Sequence, residues 1–72
     1  MNQLKTMCLT WDNSNEGFKN IIKQYLENRN SEITLAGEFE VAPSTIKRWA
    51  NGVTAPLTRM QKLIINYIAK LS

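Results

Sequence analysis

The sequence predicts an all-α protein, a compact bundle of about four helices. Apolar residues recur at spacings of three and four along most of the chain, which is the pattern of one face of an α-helix. Residues that begin or end helices, such as Pro43 and Gly52, lie between the periodic segments. The 72 residues suffice for one small domain.

Residues 1–12 fit neither a helical stripe nor strict alternation, although several of them are apolar. We interpret this segment as an N-terminal arm or tail: an arm, a short strand, or a flexible tail that packs Trp11 on the core. The helical domain is predicted to comprise residues 13–72.

The first predicted helix covers residues 15–28. It is expected to begin at a cluster of helix N-cap residues, Asp12, Asn13, Ser14 and Asn15, in which Asn13 and Glu16 have the spacing of a capping box. One helical face carries its apolar residues, Phe18, Ile21, Ile22, Tyr25 and Leu26.

The second predicted helix covers residues 32–39. Ser31 is a natural N-cap, and Glu32 lies in the first turn, where the helix dipole favours an acidic side chain. The residues predicted to face inward are Ile33, Leu35, Ala36 and Phe39.

The third predicted helix begins at Pro43 and ends at Asn51-Gly52. Ile46 and Trp49 are three residues apart and should be buried together, so we interpret Trp49 as a core residue rather than a stacking platform. The outward face consists of Ser44, Lys47, Arg48 and Asn51. With the second helix and the turn at 40–42, this segment forms a helix-turn-helix unit, whose second helix is of the kind that enters a DNA major groove.

The last predicted helix covers residues 57–71 after a loop that contains Pro56. Its apolar stripe consists of Leu57, Met60, Leu63, Ile64, Tyr67, Ile68 and Leu71. Ile65 and Ala69 make this face wider than one core contact needs, so we expect another subunit to cover part of it.

The charges divide sharply along the chain. Residues 1–40 carry four cationic and six anionic side chains, a net charge of −2, whereas residues 41–72 carry five cations and no anion, a net charge of +5. A surface of one sign beside a groove-binding helix attracts a polyanion.

The chain lacks histidine and has one cysteine, Cys8, so we expect no catalytic residue, no metal site and no cofactor. Cys8 lies in an apolar run and is interpreted as a packed or partly exposed thiol. The longest apolar runs are three residues, and no signal-peptide segment follows Met1. We expect a soluble cytoplasmic protein that is not an enzyme.

Over about residues 15–71 the sequence resembles the Cro/repressor class of helix-turn-helix proteins, the XRE-like family. The residues that carry the resemblance are Leu35-Ala36, Phe39, Ile46, Trp49, Asn51-Gly52 and Pro56. In that family a Leu-Ala pair marks the first helix of the motif, an Ile follows ten residues after the Ala, and a Gly closes the recognition helix. One departure is Glu40, which stands in the turn where the family often has Gly.

The resemblance implies a lambda-repressor-like bundle that binds double-stranded DNA. Family members commonly bind as dimers to two-fold related half-sites about one DNA turn apart. We therefore expect a homodimer built on the last helix.

By facing and charge, the candidates for contact with base edges are Ser44, Lys47 and Arg48. Arg48 can donate two hydrogen bonds to guanine, the commonest specific contact. The candidates for contact with phosphate are Glu32 through its amide, Thr45, Asn51, Val53 through its amide, Thr54 and Arg59.

The sequence thus favours a sequence-specific DNA-binding transcriptional regulator of phage or bacterial type, most simply a repressor. One alternative is the antitoxin of a toxin–antitoxin pair, which would bind a protein partner as well as DNA. Another is a protein-interaction module with the same fold. Glu38 and Glu40 near the turn favour that module, whereas Lys47, Arg48 and the acid-free second half oppose it.

Overall fold

The computed structural model describes residues 3–28 and 32–71, which form five helices and no strand. The helices are α1 (Gln3–Leu9), α2 (Asn15–Glu27), α3 (Glu32–Phe39), α4 (Pro43–Ala50) and α5 (Thr58–Leu71). They pack into a body of 30 × 23 × 18 Å, which confirms the predicted all-α bundle. The four predicted helices correspond to α2–α5 within about one residue, and α1 lies in the segment that was predicted to be an arm, a short strand or a flexible tail. None of the described helices is long and apolar enough to span a lipid bilayer.

The core is organised around α2, which packs against α1, α4 and α5. Its predicted apolar face is the buried one, because Phe18, Ile21, Ile22 and Tyr25 are each at most 2% exposed. Trp49 of α4 lies edge-on against Phe18, with the ring centroids 5.8 Å apart and the planes at 63°. Such a contact is favourable beyond the area it buries. The interpretation of Trp49 as a core residue is confirmed.

Helix α1 packs against α5 and α2 and adds Leu4 and Cys8 to the core. Burial raises the pKa of the Cys8 thiol, so the uncharged form is favoured, as expected for a packed thiol. The chain then reverses at Trp11, whose indole Nε1–H donates to the Ser14 carbonyl at 3.0 Å. The N-terminal segment is therefore part of the same core as the other four helices.

The cap of α2 lies within the predicted cluster of N-cap residues, one residue after the position that the capping-box spacing indicates. Ser14 is the N-cap, and its hydroxyl oxygen accepts from the Gly17 amide at 3.0 Å. Asn13 lies one residue earlier, with a φ of 67°, so the predicted Asn13–Glu16 capping box is wrong. A left-handed residue before the cap turns the chain into the helix, and the shorter serine side chain reaches the third amide.

Helix α3 buries Leu35 and Ala36, and Phe39 lies edge-on against Tyr67 of α5 at 5.6 Å. Ile33 is 68% exposed, so its predicted inward position is wrong. At 100° per residue, Leu35, Ala36 and Phe39 already fill the arc that faces the core, and Ile33 falls outside it.

Helix α5 is rotated relative to the predicted stripe. Its buried residues are Gln61, Ile64, Ile65 and Ile68. Leu57, Leu63 and Leu71 are 83%, 54% and 55% exposed and lie outside the core. Because α1 packs on α5, part of the wide apolar face is covered within the chain itself.

The turn between α3 and α4 contains Glu40 in the left-handed region, with a φ of 57°. The amide of Val41 donates to the Ala36 carbonyl at 3.0 Å, which is the six-to-one bond of a Schellman cap. In this cap the residue that follows the helix has a positive φ. It is usually glycine, because a Cβ at a positive φ is strained. Glu40 therefore adopts the left-handed conformation of the usual glycine, with the strain that its Cβ causes.

We predict that Glu40→Gly raises the free energy of unfolding by about 1 kcal/mol, because glycine adopts a positive φ without a Cβ clash. Chemical denaturation followed by tryptophan fluorescence measures the change. Glu40→Ala is the matched control, since it removes the same charge but keeps the Cβ, and it should be near neutral. Equal stabilities of the two variants would show that the turn stores no strain.

Candidate nucleic-acid interface

The outward face of α4 carries the residues predicted to read base edges. Pro43 occupies the first turn of the helix, where a missing amide hydrogen costs nothing. Ile46, Trp49 and Ala50 are buried on one side, and the opposite side presents Ser44, Lys47 and Arg48 to solvent. Asn51, the C-cap, continues this exposed face. The structure thus brings the three base-edge candidates together on one surface.

Lys47 is held by an acidic residue of the neighbouring helix. Its Nζ lies 3.5 Å from Oε1 of Glu32, the first residue of α3, and the two side chains are 63% and 31% exposed. Glu32 was predicted to contact phosphate through its amide, and its carboxylate lies at the same end of α3. The pair therefore couples a predicted phosphate contact to a predicted base contact.

The end of α4 uses backbone amides that were predicted to bind phosphate. The Val53 amide donates to the Arg48 carbonyl at 3.0 Å, and the Gly52 amide donates to the Trp49 carbonyl at 3.2 Å. Gly52 has a φ of 76°, so this is again a Schellman cap. Both N–H groups donate to carbonyl groups of the last turn of α4. This corrects the prediction that the Val53 amide binds phosphate. The exposed side chain of Val53 is apolar and offers phosphate no donor.

A concavity of about 320 Å³ lies between the start of α2 and the loop 51–55. It gathers three predicted phosphate candidates, Asn51, Val53 and Thr54, beside Lys19 of α2. The stem of Lys19 covers Gly52, because a Cβ built on Gly52 would lie only 2.9 Å from Lys19 Cδ. The Lys19 ammonium lies 3.5 Å from Oε1 of Glu16.

Lys19 was not among the residues that the sequence analysis selected for this surface. The available signal was its place at the edge of the buried stripe, next to Phe18, from which a long side chain can reach across a neighbour. No local feature of the sequence indicates that this edge of α2 meets the loop after α4.

Gln61 binds the end of the loop from the buried side, and the sequence analysis did not identify it either. It is 1% exposed, and its Nε2 donates to Asn15 Oδ1 at 2.7 Å and to the Pro56 carbonyl at 2.8 Å. Within the described residues, its Oε1 is buried with no hydrogen-bond partner. One amide group thus joins the first residue of α2 to the end of the loop.

The two remaining phosphate candidates lie on either side of this loop. Thr45 is half-buried on the shoulder of α4, and Arg59 is exposed in the first turn of α5. The surface combines hydroxyls and amides with four cations, of which Lys19 and Lys47 are paired with Glu16 and Glu32. Such a surface can bind an extended polyanion by contact with its phosphates.

In residues 3–28 and 32–71, no group of three or more His, Cys, Asp and Glu side chains is placed to hold a metal ion. Comparisons with protein-family models, with curated proteins and with solved structures gave no match. The candidate site therefore rests on the residues and geometry described above.

We predict that Gly52→Ala lowers the free energy of unfolding by about 1–2 kcal/mol, because the φ of 76° disfavours a Cβ and Lys19 occupies its space. Gly37→Ala is the control: Gly37 lies within α3 with open space around it, so alanine should stabilise by about 0.5–1 kcal/mol. Urea denaturation measures both changes in the free energy of unfolding. In a Lys19→Ala background the Gly52 penalty should shrink but persist, and its complete loss would show that the contact, not the φ, causes it.

Proposed function

We propose that this protein is a sequence-specific double-stranded DNA-binding transcriptional regulator, most simply a repressor of phage or bacterial type that acts in the cytoplasm. The observation that carries the proposal is the exposed face of α4, where Ser44, Lys47 and Arg48 lie together opposite a fully buried side. A short helix with one buried side and one polar, cationic side is suited to the major groove.

The charge distribution supports the same proposal. The segment from Val41 onwards carries five cations and no anion, and it includes α4, the following loop and α5. Non-specific attraction to phosphate depends on such cations, and it brings a protein to DNA before any base is read.

In this proposal each part of the surface has its own role. Arg48 donates two hydrogen bonds to a guanine edge, and Ser44 and Lys47 contact neighbouring bases. Phosphate contacts come from side chains on and around α4, namely Thr45, Asn51, Thr54 and Arg59. The amide of Glu32 at the start of α3 is a further phosphate donor in this proposal.

A dimer is part of the proposal, because one α4 reads too few base pairs for useful specificity. Leu63 and Leu71 of α5 are more than half exposed and are eight residues apart, so they lie about 80° from each other around the helix, two turns apart. An exposed apolar strip on the terminal helix favours contact with a second copy.

The test of function is selection from a random duplex pool, followed by sequencing, at two salt concentrations. We expect an enriched motif with two-fold symmetry and an affinity that falls as the salt concentration rises. Salt-sensitive binding without enrichment would indicate a non-specific DNA binder. No binding at low salt would refute the proposal.

Arg48→Ala should weaken binding to the selected duplex by about 1–3 kcal/mol and relax the preference at one base position. Lys70→Ala is the matched control, because Lys70 is an exposed cation in the last turn of α5, and it should leave the base preference unchanged. Fluorescence anisotropy on duplexes with single base changes separates the two effects. An equal loss on every duplex would assign Arg48 to phosphate.

Leu63→Glu should shift the protein from dimer to monomer at micromolar concentration, because it puts a charge into the proposed apolar interface. Sedimentation analysis over a dilution series measures the change. Leu9→Glu is the control, since Leu9 is 73% exposed on α1 and lies outside the strip. A wild-type protein that stays monomeric both on and off DNA would rule out the dimer.

A second candidate is the antitoxin of a toxin–antitoxin pair. The observation that favours it is the exposed apolar surface of α1 and α3, where Leu9 is 73% and Ile33 is 68% exposed. These side chains belong to helices other than α5, so a protein partner could use them without Leu63 and Leu71. Such a protein would still bind DNA, whereas an interaction module of this fold would fail the duplex selection.

A further inference from the structure

We propose that Glu32 is a specificity-determining residue, which restricts Lys47 to the major groove by holding it in an ion pair. The inference rests on the proposed function and concerns how the α4 face distinguishes its own site from other DNA. It assigns a role to a carboxylate that would otherwise only repel the phosphate backbone.

The geometry places the pair across the helix-turn-helix unit. Glu32 begins α3 and Lys47 lies in the second turn of α4, so the 3.5 Å contact joins the two helices. Glu32 is the more buried partner, with 31% of its side chain exposed against 63% for Lys47. The carboxylate is therefore the fixed end of the pair, and the lysine is the end that can move.

The charge of Lys47 is partly compensated in the free protein. Binding to non-cognate duplex depends almost wholly on cations that reach phosphates. For Lys47 to reach a phosphate it must leave Glu32, and it leaves an uncompensated carboxylate beside the polyanion. An exposed ion pair of this kind changes an equilibrium by about one- to fivefold, so the restriction is modest but measurable.

Cognate DNA removes this conflict. The lysine ammonium has three N–H donors and needs only one of them for Glu32. It can therefore donate to guanine O6 or N7 in the groove while it keeps the carboxylate. Glu32 thus disfavours the phosphate-bound position of Lys47 and tolerates the base-bound one, which increases the ratio of specific to non-specific affinity.

The experiment compares Glu32→Gln with Glu38→Gln on the selected duplex and on a scrambled duplex of the same length. Glu38 is an exposed acid on the same helix, so both variants remove one negative charge. Affinities are measured by anisotropy over a series of salt concentrations, and folding is checked by circular dichroism.

We expect Glu32→Gln to bind the scrambled duplex two- to fivefold more tightly than Glu38→Gln does. Its slope of log affinity against log salt should be steeper by about one, since one more cation contacts phosphate. Binding to the selected duplex should rise less, so the specificity ratio falls. In a Lys47→Gln background the two glutamate variants should become equal.

Equal effects of Glu32→Gln and Glu38→Gln on both duplexes, with wild-type specificity intact, would overturn the inference and leave the proposed function standing. A wild-type protein that binds neither duplex would refute the function, and the inference with it. If Glu32→Gln fails to fold, Lys47→Gln gives the answer. It should weaken binding to the selected duplex more than to the scrambled one, and equal losses would overturn the role of Glu32.

Discussion

The packing of α4 on α2 determines the arrangement of the whole candidate surface. Trp49 and Ile46 enter the core against Phe18 and its neighbours, and each fully buried side chain of this size contributes about 1.5–3 kcal/mol. Because that side of α4 is buried, Ser44 and Arg48 on the opposite side face the solvent. The same contact brings the edge of α2 to the loop after α4, where Lys19 covers Gly52. A rotation of α4 would move Ser44, Lys47 and Arg48 together.

Much of the fold could be predicted because its signals are local. Pro43 and Gly52 mark the ends of α4, and the spacing of Ile46 and Trp49 identifies its buried side without reference to any other helix. Helix α1 could not be predicted in this way, because Leu4 and Cys8 become core residues only through α2 and α5. The face of α5 was ambiguous for a similar reason. Its apolar residues cover so wide an arc that several rotations bury a comparable area, and the contacts of α1 select among them.

In the candidate site, too, features that depend on local spacing could be predicted and contacts between elements could not. Base-edge candidates follow from helical facing, which depends on spacing alone, and the structure groups them as predicted. Contacts between elements do not follow from spacing. The pair between Glu32 and Lys47 joins residues fifteen positions apart, and Gln61 joins the loop to a residue forty-six positions away. The occupied amide of Val53 is a third case, because helix-end geometry, not composition, determines which N–H groups remain available.

Ser44 and Arg48 lie on the exposed side of α4, outside the buried core, and this has a consequence for how such a chain can change over evolution. Exposed positions of this kind accept substitution with little effect on stability. In the proposed function, the preferred DNA sequence can therefore change while the fold is retained. Lys47 is the exception, because its partner lies on another helix. A replacement of Lys47 by a neutral or acidic residue leaves Glu32 without its cation on the proposed DNA-binding surface, so paired changes at these two positions are favoured. A design that alters the proposed base contacts would meet the same constraint: Ser44 and Arg48 can be varied singly, whereas Lys47 must be varied together with Glu32 of α3.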